Sequence, residues 1–326
     1  IKFIVGLVVL VLGLVFAPLI ANNLLAKPEL VIPLRFSIVG AFVTLLFTFA
    51  TSSLQAIQKF WTWGAVNISS NALRLGIVVV LFSLNLLNVD SALGSYILCV
   101  ALGFIVSLLS LPNFFKAKNE NTLAKEFLHY NKWVAAFIMI AAVSGRLDTF
   151  ISTRLLSLKD VGIYGVATGL AVIGAQVVAG ITTVVAPKLA GMDSRQKAID
   201  YLKKLQALVL VLGILAIAVG IPAGYFIIPA FYGAEYLASF APLAILIAAQ
   251  ALFLISIPAH SATIYYFSYP KLFVYISFVH LIIIGGLGWL LISNYGYIGA
   301  AITVLVGNIS NLVIPGIWVL WKFNKK

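Results

Sequence analysis

Residues 3–25 read FIVGLVVLVLGLVFAPLIANNLL, a stretch with no charged side chain. A helix needs about 20 consecutive apolar residues to cross the ~30 Å hydrocarbon layer of a bilayer, and this stretch is long enough. A strand of an outer-membrane barrel would alternate apolar and polar positions over roughly ten residues, whereas here the apolar run is continuous. Nine further runs of the same kind follow, at 30–54, 63–87, 91–111, 132–156, 161–187, 205–229, 237–262, 270–292 and 295–321. The first is not read as a cleaved signal peptide, because it starts at Ile1 without an initiator Met and other spans follow it. The expected fold class is an all-α integral membrane protein with ten transmembrane helices.

Composition agrees. Of 326 residues, 63% are hydrophobic and 9% charged, and the mean hydropathy is +1.12. Soluble domains run near ~45–50% apolar and about 25% charged. A large soluble catalytic domain and a nucleic-acid module are therefore excluded. A disulfide framework is excluded too, since Cys99 is the only cysteine. The net charge of +12 resembles a nucleic-acid signature until its placement is considered. Of the 21 Lys and Arg residues, fifteen fall in one set of loops and termini, from Lys2 and Lys59 through Lys116, Lys118, Lys188 and Arg195 to Lys326. The opposite set holds Lys27, Arg154 and Lys159, and Arg35, Arg74 and Arg146 lie within spans. This bias puts both termini in the cytoplasm of a multi-pass inner-membrane protein. The loop cations then sit beside anionic lipid headgroups rather than nucleic acid.

A weak internal repeat is also legible. Shifted by 206 positions, Glu29 falls on Glu235 and Asn88 on Asn294, while Pro18 meets Pro222 at a slightly different offset. Helices 1–4 then align with helices 7–10, unless similar hairpins merely coincide. Taken as a repeat, the unit is six helices, so two lobes would be related by an axis along the membrane normal. Helices 5 and 6 have no counterparts at the front, so the first two helices of a 6+6 arrangement are expected to be missing from this chain. The expected organisation is an N-lobe remnant over 1–111, a cytoplasmic inter-lobe linker over 112–131 and a C-lobe over 132–326.

The stretch from Ser144-Gly145-Arg146-Leu147-Asp148 to Asp160-Val161-Gly162-Ile163-Tyr164 resembles two consecutive helices of the polysaccharide flippases, the Wzx-type family of the multidrug/oligosaccharidyl-lipid/polysaccharide superfamily. The resemblance continues in order through Pro187, Phe231-Tyr232-Gly233-Ala234-Glu235-Tyr236 and Gly296-Tyr297-Ile298-Gly299-Ala300-Ala301. It implies two six-helix lobes, a central cavity, alternating access, and translocation of undecaprenyl-diphosphate-linked oligosaccharide for surface polysaccharide biosynthesis. It further implies no cofactor, polysaccharide assembly enzymes as partners, and function as a monomer.

Charged residues at membrane depth cost roughly 2.5–3.5 kcal/mol each on insertion scales, which makes them functional candidates. Arg74 shares a helix face with Asn67 and Asn71. A guanidinium flanked by amides suits a diphosphate, since it stays charged and grips two oxygens at once. The alternative is a structural Arg that caps carbonyls or pairs with an acid between helices. Arg146 is a second candidate ligand for the diphosphate. It stands two residues from Asp148, about 200° around the helix, so the two are not expected to pair. Arg146 shares its face with Thr149 and Thr153, and Asp148 shares its own with Ser144 and Ser152. Asp148 reads as a gate or inter-lobe partner of an Arg such as Arg74 or Arg35, in preference to a coupling-ion ligand, because no second acid lies within the spans. Arg35, near a helix end, can instead snorkel to the interface. His260 reads as interfacial, with a proton relay as the alternative, and His129, His280, Gln176 and Gln250 carry no sharper reading. Pro222, Pro258 and Pro315 interrupt spans and permit kinks. The Ala171, Ala175 and Ala179 stripe and the glycines Gly285, Gly286 and Gly288 suggest close helix packing. No Walker A run, Gly-x-Ser-x-Gly or metal-spaced His/Cys cluster points to an enzyme. A drug or cation antiporter would be expected to carry several cavity acids, and a membrane glycosyltransferase or polymerase a large outer loop.

Overall fold

The computed structural model describes residues 2–111 and 121–325, and no strand occurs among them. The helices are α1 (Lys2–Leu19), α2 (Val31–Ala56), α3 (Phe60–Ser83), α4 (Val89–Leu109), α5 (Asn121–Leu155), α6 (Leu158–Ala190), α7 (Arg195–Tyr232), α8 (Phe240–Ser261), α9 (Lys271–Ile282) and α10 (Gly288–Asn324). Exposed apolar side chains such as Trp61, Leu109 and Phe231 cover their outer faces, as expected where the solvent is hydrocarbon and backbone groups must be paired within each helix.

The chain divides into two compact units, Ile1–Asn121 and Thr122–Lys326. Helix α5 begins at Asn121, within the expected linker at 112–131, and the division between the two units falls at the same place. Residues 112–120, with Lys116 and Lys118, lie outside the described residues, as do the side chains of Lys125, His129, Lys132 and Pro187. Helix α7 also starts earlier than its apolar run. Its first turns, Arg195 to Lys204, carry all four of its basic residues, and Ser194 caps them by accepting the Lys197 amide.

The sequence repeat has a counterpart in the packing of each unit. In the first, α1 packs on α2 and α2 on α4; in the second, α7 packs on α8 and α8 on α10. Glu29 lies in a short 3-10 turn, Pro28–Leu30, that leads into α2, and Glu235 lies in another, Ala234–Ser239, that leads into α8. Asn88 caps α4 reciprocally with Ser91, each accepting the other's backbone N–H at 2.8 and 2.9 Å. Its counterpart Asn294 stands just ahead of the break at Gly296.

That break resolves a difference from the sequence reading. Nine helical runs of the described residues are long and apolar enough to cross a membrane, and the last of them, Lys271–Asn324, has 54 residues. A straight helix of that length would extend about 80 Å, far more than one crossing. Gly296 adopts φ 59 and ψ −139 in its middle, a backbone conformation that L side chains rarely take. Beyond it the chain returns against itself. A Cβ at Gly299 would lie 2.0 Å from the Leu291 carbonyl oxygen, one at Gly288 3.1 Å from Thr303, and one at Gly307 2.7 Å from His280. The paired positions descend on one arm as they ascend on the other, the signature of an antiparallel hairpin. The long run is long enough for two crossings on either side of Gly296, so the described residues hold ten candidate spans, as expected. In Gly296-Tyr297-Ile298-Gly299-Ala300-Ala301, the first glycine makes the turn, the second admits the opposing backbone, and both alanines are fully buried.

Two apolar clusters organise the second unit. One gathers Ile151, Tyr164, Ala167, Ile228, Leu243 and Ile292; the other gathers Val185, Leu189, Leu205, Val209, Leu254 and Ile257. They take opposite ends of α6 and α8, with Gln176 and Gln250 between them along the chain.

The close approach at Gly299 yields a stability prediction. Gly299→Ala forces a Cβ into the Leu291 backbone and is expected to destabilise the chain by about 2 kcal/mol or more. Gly286→Ala, where a Cβ would meet nothing within 4 Å, is expected to change little. Thermal unfolding of the purified chain in detergent reads both; equal melting temperatures for the two variants would remove the hairpin explanation.

Candidate functional site

Each unit holds a polar site. In the first, Arg74 lies midway along α3. Its guanidinium donates to Asn71 Oδ1 at 3.1 Å and its Cζ lies 5.2 Å from the centre of the Tyr96 ring on α4. Asn71 in turn donates to the Asn67 carbonyl at 2.8 Å, and Asn67 to the Trp63 carbonyl at 2.8 Å. The face shared by Asn67, Asn71 and Arg74 therefore exists as the spacing predicts. Among the described residues, both partners of Arg74 are neutral. Arg35 is exposed in the first turn of α2.

Tyr96 joins Arg74 to a groove between α2 and α4. The groove encloses about 770 Å³ and is lined by Ser37, Thr44, Thr48 and Tyr96 over an apolar floor that includes Phe36 and Ile97. The Tyr96 and Thr44 hydroxyl oxygens are 3.4 Å apart. The sequence reading passed over these residues. Thr44 and Thr48 one turn apart in an apolar helix were the available signal.

The second unit encloses a cavity of about 410 Å³ walled by α5, α6, α8, α9 and α10. Helix α5 presents the buried stripe that its spacing implies, with Ser144, Asp148 and Ser152 turned inward. Asp148 accepts a hydrogen bond from the Tyr164 hydroxyl on α6, so the buried carboxylate has a partner in its own unit. Arg146 and Thr149 line the same cavity, and Arg146 is exposed. Gln250, Asn308, His260 and His280 complete the polar wall. Asn308 donates to the Ala249 carbonyl at 2.8 Å, tying α10 to α8. The alanine stripe on α6 does not serve close packing throughout, since Ala171 and Ala175 face the cavity. The close approach on that helix is at Gly174, where a Cβ would lie 3.1 Å from Gln250.

His260 lines this cavity and bridges two helices. Its Nε2 lies 2.8 Å from the Asn311 carbonyl oxygen, and the ring packs edge-on between Phe253 and Phe273. In a regular helix that carbonyl would accept the N–H of residue 315, but residue 315 is proline and has none. His260 supplies the missing donor. A carbonyl can only accept, so Nε2 carries the proton and Nδ1 is left as the free nitrogen. The proline was visible in the sequence; the histidine that answers it was not.

Comparison with known proteins places this architecture. The family described as "Polysaccharide biosynthesis protein" matches residues 1–241, and the chain belongs to that family. Among solved structures, an outward-facing multidrug resistance MATE family transporter of the MOP superfamily matches with a TM-score of 0.68 at 13% identity, over 100% of this chain and 77% of that one. A mutant of the Vibrio cholerae MATE transporter VcmN matches with a TM-score of 0.60 at 18% identity, over 98% of this chain and 75% of that one. No curated protein matches the chain. The protein is a multi-pass membrane protein with the helical fold of these transporters.

The His260 contact makes a coupling prediction. His260→Phe leaves a buried carbonyl unpaired and is expected to cost about 1–3 kcal/mol. In a Pro315→Ala background the restored N–H can take the Asn311 carbonyl, so the same substitution should cost at least ~1 kcal/mol less. A double-mutant cycle on thermal unfolding in detergent measures this, and strict additivity would refute the role.

Proposed function

We propose that the protein is a flippase that carries undecaprenyl-diphosphate-linked oligosaccharide across the inner membrane by alternating access, for surface polysaccharide biosynthesis. The observation that carries this reading is the state of Arg74. It is a full positive charge midway along a membrane helix, and among the described residues its contacts are an amide oxygen and an aromatic face. An arginine serving only structure in hydrocarbon would be expected to meet a carboxylate. Among the described residues no carboxylate compensates its charge, and most of its five N–H donors remain for a ligand. A diphosphate supplies both the negative charge and the paired oxygens. Asn67 and Asn71 each spend one amide N–H on the helix backbone and keep one for the substrate. In the second unit Arg146 on the cavity wall serves as a further anion ligand. Family membership agrees with a substrate of polysaccharide assembly.

On this reading both termini are cytoplasmic, the loop lysines face anionic headgroups, and the protein acts as a monomer alongside polysaccharide assembly enzymes. A cation antiporter of the same fold is the second reading, favoured by the Asp148 carboxylate beside a polar cavity.

Arg74→Ala is expected to reduce export at least tenfold, and Arg74→Lys to restore it only in part, because an ammonium cannot grip two oxygens in a fork. The measurement is complementation of a deletion strain, read as surface polysaccharide and as radiolabelled lipid-linked sugar retained on the cytoplasmic leaflet. Export unchanged in Arg74→Ala and Arg146→Ala would sink the anion-site reading. A deletion strain with no retained label would favour the antiporter.

A further inference from the structure

The groove between α2 and α4 has a hydrogen-bonding polarity that its residue list conceals. Ser37 donates its hydroxyl proton to the Pro33 carbonyl at 2.8 Å, Thr44 to Gly40 at 2.7 Å, and Thr48 to Thr44 at 2.7 Å. Such back-bonding is common for hydroxyls in apolar helices, and here it has a consequence. The Tyr96 hydroxyl lies 3.4 Å from that of Thr44. Three of the four hydroxyls, those of Ser37, Thr44 and Thr48, thus spend their protons on the backbone and offer the groove their oxygen lone pairs. A hydroxyl-lined wall would ordinarily donate and accept alike; this one is biased towards accepting.

We infer that this groove is a carbohydrate subsite, in which Ser37, Thr44, Thr48 and Tyr96 accept hydrogen bonds from the hydroxyl groups of a sugar. Three features of the groove favour this occupant. A sugar brings several O–H donors on one ring edge, which complements a row of acceptors. It also has an apolar C–H face, which suits the floor made by Phe36 and Ile97. Finally, the groove adjoins Arg74 through a single phenol ring, with the guanidinium on its face and the Thr44 hydroxyl at its tip. The first sugar of a glycosyl diphosphate is bonded directly to phosphate, so a diphosphate held at Arg74 places that sugar beside the groove. A lipid acyl chain has no donors to offer these oxygens. The inference rests on the flippase reading and assigns the part of the substrate that the first unit distinguishes.

The test uses the full purified chain in detergent and two probes, undecaprenyl diphosphate and undecaprenyl diphosphate bearing one N-acetylglucosamine. The variant is Thr44→Val with Thr48→Val, which keeps side-chain shape and removes two acceptors; an unchanged melting temperature confirms its fold. The wild type is expected to bind the sugar-bearing lipid about tenfold more tightly than the bare one, and the double variant to bind both alike, with its affinity for the bare lipid unchanged. Arg74→Gln should weaken both probes by the same factor. If the wild type does not distinguish the probes, or if the preference survives the double substitution, the subsite is overturned while the flippase reading stands. If the wild type binds neither lipid, the flippase reading falls and takes the subsite with it. Should the double variant lose its fold, Thr48→Ala alone decides, with loss of part of the preference supporting the subsite and full retention overturning it.

Discussion

A backbone N–H or C=O left unpaired in hydrocarbon costs several kcal/mol, and most of this structure follows from avoiding that cost. It makes the chain helical, since a helix pairs its own backbone, and it leaves difficulties only where a helix is interrupted. Two such interruptions are met locally. Gly296 turns the last helical run back on itself, and Gly299 lets the returning arm lie directly against the Leu291 backbone. Pro315 deprives the Asn311 carbonyl of its usual donor, and a histidine from α8 fills the vacancy. Asn308 makes a second bond between the same two helices. The pairing of α8 with α10 is thus fixed by polar bonds as well as by the apolar clusters at either end of α8.

The same constraint explains where the polar sites lie. In the second unit the apolar clusters hold the helix ends, and the polar side chains of α5, α6, α8 and α10 share the space between them. Asp148 lies in the buried stripe with Ser144 and Ser152 and is held by Tyr164. In the first unit, Arg74 is braced by Asn71 on its own helix and by Tyr96 on the next. These two charges are handled differently. The carboxylate takes a hydrogen-bond donor from its neighbour, while the guanidinium keeps most of its donors unspent. On the proposed flippase reading, that contrast is why the anionic part of the substrate is assigned to the arginine.

Much of this was legible in the sequence because it depends on periodicity along one helix. The Asn67, Asn71 and Arg74 face and the Ser144, Asp148 and Ser152 stripe follow from 3.6 residues per turn, and the structure reproduces both. The repeat rested on few identities, yet Glu29 and Glu235 occupy matching turns before matching helices. Partners from other helices were not legible. Nothing near His260 in sequence points to Asn311, and nothing near Arg74 points to Tyr96. The start of α5 was not legible, because the helix begins with polar turns that carry no apolar signal. Helix α7 was begun too late for the same reason.

The sequence by itself determined the apolar runs, their approximate ends, and the polar faces of α3 and α5. These are properties of a single helix in hydrocarbon, and length and hydropathy suffice to fix them. Only the tertiary structure decided which polar groups meet. It gave Asp148 to Tyr164, His260 to the carbonyl freed by Pro315, and set the Tyr96 hydroxyl beside that of Thr44. The physical reason is that a hydrogen bond between helices depends on their rotation and offset, which packing sets over many residues at once and no local pattern records.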